Sequence, residues 1–213
     1  MARGILGRKL GMTQVFNDQG HIVPVTVIEA GPCVVVQRRS RERDGYEAIQ
    51  VGFGPTKEQR VNRPLKGHFA RAGVAPVRHL REFRVEDSAA YEVGQILGVD
   101  MFRPGDTVDV VGRSKGKGFA GGVRRHGFKR GPMAHGSKYH RGVGSLASRA
   151  GARVFKGRRM PGHLGAERVT VRGLKVVEVD ADRNLLILKG AVPGPRGGLV
   201  SIREAKATRR EKV

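Results

Sequence analysis

The sequence predicts a mainly β protein: a small antiparallel barrel interrupted by a long, irregular, basic extension. Three observations carry that expectation. Short Val/Ile/Leu-rich runs recur with turn residues between them at roughly 8–12-residue spacing, the pattern of a small antiparallel barrel or sandwich. Those runs fall at both ends of the 213-residue chain and not in its middle. Between them, Arg113 to His163 holds 14 Lys/Arg, 12 Gly and 4 His and not one Asp or Glu, although the chain has 19 acids. The extension is therefore set between two strands of one body, with residues 1–112 as the first part, 113–163 as the extension and 164–213 as closing strands with a basic tail.

The elements follow in order. His21–Glu29 reads as a strand, with Pro24 at an early or edge position. Cys33–Arg38 and Tyr46–Gly52 read as a pair of strands, and Asp44-Gly45 between them is a hairpin signal. Over Arg63–Gly73 a short helix is expected, with Pro64 in its first turn and Gly73 at its C-terminal cap. Extended runs follow at His79–Val85 and, after Pro104-Gly105-Asp106, at Thr107–Val111. Past the extension, Arg168–Val179 alternates, Asp180–Asn184 turns the chain, and Leu185–Lys189 and Leu199–Arg203 complete the set. Cys33 lies in the run Cys33-Val34-Val35-Val36 and reads as a buried thiol, which behaves as a small hydrophobe. A single cysteine excludes an internal disulfide and fits a reducing cytoplasm. No apolar run of about 18 residues suggests a membrane span, and residues 1–15 lack the apolar core of a signal peptide.

Of the formal net charge of +22, 14 units sit in the extension without compensation. Self-repulsion and glycine entropy oppose its collapse, so a polyanion has to supply the missing charge. A sequence pI near 11.4 points to nucleic acid. A membrane surface would need an amphipathic basic helix, which glycine at this density forbids. Four aromatics, Phe119, Phe128, Tyr139 and Phe155, interleave with the charges, and unpaired RNA bases stack on such rings for about 1–3 kcal/mol each. Phe119 and Phe155, nearest the strands, could equally pack the base of the extension.

Other chemistries find no support. Gly116-Lys117-Gly118-Phe119-Ala120-Gly121 matches the dinucleotide glycine pattern, but no acid follows before Glu167 to hold a ribose. Gly112–Gly118 is one residue short of a P-loop and lacks its Ser/Thr. His126, His135, His140 and His163 stand among cations that repel a metal ion. Without a carboxylate, the extension offers neither paired-acid catalysis nor an oriented nucleophile relay. No cofactor, metal or small-molecule substrate is expected.

The chain opens GILGRKLGMTQVF, continues PVTVIEAGPCVVVQ and GHFARAGVAP, enters the extension with DVVGRSKGKGFAGGVRRHGF and leaves it with RVFKGRRMPGHLGAERVTVRGLKVVEVDADRNLLILKGAVPGP. In that order, over residues 3 to 203, these motifs resemble the bacterial members of the protein-three family of the large ribosomal subunit. SKGKGFAG, KGRRMPGH and LLILKGAVPG are the most specific. The resemblance implies a translation-type β-barrel, with a minor α/β insertion at about 55–95. It also implies a cytoplasmic, ribosomal, non-enzymatic role: binding large-subunit (23S) rRNA near its 3′ end beside neighbouring ribosomal proteins, aiding early assembly, and sending a loop toward the peptidyl transferase centre. The expected RNA contacts are Arg113, Lys115, Lys117, Arg124, Arg125, Lys129, Arg130, Lys138, Arg141, Arg149, Arg153, Lys156, Arg158 and Arg159, with Phe128 and Tyr139. The loop tip falls on Gly142–Gly151, chiefly Gly144, Ser145, Ser148 and Arg149. Many bacterial relatives carry a methylated glutamine at the tip, whereas this stretch has no Gln and is one residue shorter.

Overall fold

The computed structural model describes residues 4–147 and 149–205, with the backbone alone at Arg149. Up to the basic segment the chain forms β1 (Gly4–Phe16), β2 (Ile22–Ala30), β3 (Cys33–Arg39), a helical turn α1 (Arg41–Asp44), β4 (Ala48–Pro55), α2 (Arg63–Ala72), β5 (Val77–Arg84), β6 (Ile96–Leu97) and β7 (Thr107–Arg113). Inside the segment lie β8 (Phe119–Ala120), α3 (Gly122–His126) and β9 (Gly162–His163). After it come β10 (Arg168–Asp180), β11 (Leu185–Lys189) and β12 (Leu199–Glu204).

Six antiparallel strands close a barrel in the order β1-β12-β7-β10-β11-β2. Alternate residues point inward, as the two-residue strand period requires. Val108 and Val110, Leu186 and Leu188, and Val200 and Ile202 are thereby buried with Ile5, Leu6 and Ile28. Lys9 is also buried, and its ammonium donates to the carbonyls of Val192 (2.7 Å) and Gly194 (3.4 Å), which offsets part of the cost of removing it from water. No helix among the described residues is long and apolar enough to cross a membrane.

Leu188 is fully buried at the centre of this core. Leu188→Ala should cost about 2–5 kcal/mol, read from the urea midpoint at unchanged slope. A loss under about 1 kcal/mol would show that the site collapses around the cavity.

Two features differ from the sequence expectation. The first strand begins at Gly4, not near His21. Gly4, Gly7 and Gly11 with Arg8 and Lys9 erase the apolar alternation there, yet close packing demands two of those glycines. A Cβ at Gly4 would lie 2.3 Å from the Phe83 ring, and one at Gly7 would lie 2.7 Å from the Glu29 carbonyl oxygen.

Secondly, β3 and β4 are not barrel strands. They form a separate four-stranded sheet, β5-β4-β3-β6, which spans Cys33 to Leu97 rather than starting at about 55. A Cys-Val-Val-Val run identifies a buried strand but not its partner. The β3–β4 connection is longer than a two-residue turn: α1 ends at Gly45 (φ 80°), whose N–H bonds the Arg41 carbonyl. Helix α2 starts and stops where the sequence predicts, with the Asn62 side chain capping the Leu65 N–H (3.1 Å) and Gly73 at φ 65°. Cys33 is buried with its thiol donating to the Leu6 carbonyl, and burial pushes its pKa up to about 11. That environment makes it inert.

Candidate nucleic-acid interface

Among the described residues, those up to 113 and those from 168 onward form one compact unit and those between 114 and 167 a second. Arg113, the last residue of β7, pairs directly with Arg168, the first of β10, so the chain leaves and re-enters the barrel at one rung of the sheet.

The second unit begins as a ladder. Ser114 N–H donates to the Glu167 carbonyl (2.9 Å), Lys117 N–H to the Leu164 carbonyl (2.9 Å), and Leu164 N–H to the Gly118 carbonyl (3.0 Å). Phe119 then pairs with His163 and Ala120 with Gly162. Paired backbone thus runs on to Glu167, four residues past the expected end of the extension at His163. Glycine is required at 165, where φ is +76° and a Cβ would lie 2.2 Å from the Lys115 carbonyl oxygen.

Beyond the ladder stands α3, too short to be stable alone. Gly127 (φ 69°) caps it, and two side chains tie it to the returning arm. Arg125 donates to the Met160 carbonyl (2.8 Å), and His126 Nε2 donates to the same oxygen (3.0 Å). The Phe128 ring packs against Gly122, where a Cβ would lie 2.9 Å away. Half-buried Arg125 and Phe128, expected as RNA contacts, therefore have partners inside the segment.

A second turn is organised around Tyr139. Its hydroxyl donates to the Gly142 carbonyl (2.7 Å), while Gly131 N–H donates to the His140 carbonyl (2.9 Å). Its ring covers both Gly131 and Gly142, which have no Cβ to obstruct it. On the return arm, the Arg158 guanidinium donates to the Ser145 carbonyl, and that of Arg153 lies 5.5 Å from the Phe155 ring centroid, a cation–π distance.

The remaining expected cations, Arg113, Lys115, Lys117, Arg124, Lys129, Arg130, Lys138, Arg141, Arg153, Lys156, Arg158 and Arg159, are exposed. No carboxylate occurs between Arg113 and Glu167 to neutralise them locally. Phe119 and Phe155 are 80% and 53% exposed. At the tip, Gly144 has φ +77° and Ser145 is exposed. Ser148 and the Arg149 side chain lie outside the described residues. The sequence held no signal for Arg125 and Phe128 turning inward, since Met160 is 35 positions from Arg125.

Exposed guanidinium, ammonium and aromatic groups on a glycine-shaped backbone suit phosphate and base contacts, not bond-making chemistry. Residues 84–185 match the family described as Ribosomal protein L3. The chain is 65% identical over 209 residues to a protein of Pelotomaculum thermopropionicum named large ribosomal subunit protein uL3, covering 98% of this chain and all of that one. Proteins of the same name from Carboxydothermus hydrogenoformans and Desulforudis audaxviator are 65% and 63% identical over 205 residues, covering 96% of this chain and 98% and 96% of theirs. With that similarity running over nearly its whole length, the chain belongs to the ribosomal protein L3 family.

Proposed function

We propose that this protein is a structural constituent of the large ribosomal subunit in the cytoplasm, and that residues 114–167 bind large-subunit (23S) rRNA. The observation that carries this reading is the run of exposed cations from Arg113 to Arg159 on a backbone that contains no acid. Lys and Arg neutralise phosphates, backbone N–H groups of the glycine turns approach them closely, and Phe119 and Phe155 offer faces to unpaired bases. The barrel and second sheet form a preorganised body that carries the ladder. Arg125, Phe128 and Tyr139 brace the arms internally, so part of the ordering entropy is met before RNA arrives. The family resemblance supports the finer reading: attachment near the 3′ end of the rRNA beside neighbouring large-subunit proteins, a part in early assembly, and a tip directed at the peptidyl transferase centre.

A tagged copy expressed in cells should co-sediment with large subunits and stay with them through a moderate salt wash. Recovery only in the free-protein fractions would reject the proposal. For the tip, Arg149→Asp should change the inhibition curves of drugs that bind the peptidyl transferase centre and the chemical probing of nearby nucleotides. Stability of the free protein should move by less than about 0.5 kcal/mol. Unchanged curves and probing would mean that the tip only fills space.

A further inference from the structure

The hairpin of β1 and β2 is longer than the barrel that it helps to close. β12 accompanies β1 only to Arg8, with further backbone bonds at Lys9. β11 accompanies β2 only from Val25, with one more bond from Gly190 N–H to the Pro24 carbonyl. β1 and β2 nevertheless stay paired out to Phe16 and Ile22. Residues 11–16 and 22–24 therefore form a two-stranded ribbon with no further strand beside it among the described residues. Its turn is firmly built, because the Asn17 carboxamide oxygen accepts from the N–H groups of Gln19 (3.1 Å) and His21 (2.7 Å).

Register determines which side chains share a face. Met12 is opposite Thr26, Gln14 opposite Pro24 and Phe16 opposite Ile22. By the two-residue period this is the face that carries Thr26 and Ile28, both fully buried, inside the barrel. Past the rim the same face is uncovered: Met12 is 53%, Ile22 55% and Phe16 71% exposed. An open two-stranded ribbon with an apolar face is marginal in water, and such a patch marks an interaction site.

Charge separates the two kinds of partner. From Leu10 to Gln37 there are 28 residues without one Lys or Arg, in a chain where 41 of 213 residues are cationic. The only acids there are Asp18 and Glu29, and Glu29 is ion-paired to Arg8 at 2.7 Å. RNA would meet no cation on the ribbon and a carboxylate at its turn. We infer that the ribbon docks an extended segment of a neighbouring large-subunit protein, which adds a strand along the free edge of β1. Edge addition draws its affinity from main-chain hydrogen bonds and its specificity from alternate side chains. The edge of β1 offers six residues and that of β2 three. The segment that fits has apolar side chains at alternate positions, to cover Met12, Phe16 and Ile22, and a cation where it passes Asp18. This inference rests on the ribosomal reading above.

The test places a photoreactive residue, p-benzoylphenylalanine, at Phe16, at Ile22 or, as reference, at Lys138 of the extension, each in the full chain expressed in cells. Large subunits are purified, irradiated and analysed by mass. Positions 16 and 22 should both crosslink to one and the same ribosomal protein, while position 138 crosslinks to rRNA. If 138 reaches rRNA but 16 and 22 react with rRNA, with a second copy of this chain or with nothing, the docking inference falls alone. If the tagged chain is absent from large subunits, or 138 does not reach rRNA, the ribosomal reading falls and takes the inference with it.

Discussion

Joining Ala120 to Gly162 by an Asn-Gly turn, with residues 121–161 removed, should leave a protein that folds and melts like the full chain but does not enter large subunits. Ala120 and Gly162 are directly paired across β8 and β9, so a two-residue hairpin turn closes the gap without moving either arm. Every residue of the main hydrophobic core lies outside 114–167, and the barrel and second sheet keep all of their pairings. The melting temperature should therefore move by no more than a few degrees. The deleted stretch carries 11 of the extension's 14 cations and no acid, so the net charge falls from +22 to +11. Affinity for an rRNA fragment should drop by roughly 10³-fold or more, since neutralised phosphates supply most of such binding. Normal incorporation of the shortened chain would show that the barrel is the principal anchor, and a collapsed melting curve would show that the extension belongs to the core.

The salt dependence of binding should be equally large. If about ten of the exposed cations meet phosphates, log K for an rRNA fragment should fall against log salt with a slope of about −7 to −9. Between 50 and 200 mM salt that is a loss of about four to five orders of magnitude. In the shortened chain only Arg113, Lys115 and Lys117 remain from the set, and the slope should shrink to about −2 to −3. Filter binding across a salt series measures both. A slope shallower than about −3 for the full chain would mean that most of these charges face solvent even in the complex.

The parts of this protein legible in its sequence are those set by local pattern or by composition. β10, β11 and β12 were readable because alternating Val, Ile and Leu report a half-buried strand wherever it goes, and α2 because Pro64 and Gly73 mark its ends locally. The basic segment was readable because charge is a sum that no fold can alter. Partner choice was not readable. β3 and β4 look like barrel strands until their neighbours are known, and β1 hides because Gly4 and Gly7 are demanded by Phe83 and Glu29, which are distant in sequence. In the sequence Arg125 is one more cation of the segment, and only the fold sets Met160 beside it. Long-range contact gives a candidate phosphate ligand a second role as a brace.

The barrel closes through β12, which pairs with β1 on one side and β7 on the other. Gly4 waits for Arg203, and Val110 for Ile202. During synthesis, at about 5–20 residues per second, the whole extension is made before the strand that seals the body exists. The nascent chain thus presents its cations for several seconds while its own core is still open at a seam. Any RNA that captures the extension in that interval holds an unfinished protein. Release of the C-terminal strand then becomes the event that commits the body to its final shape.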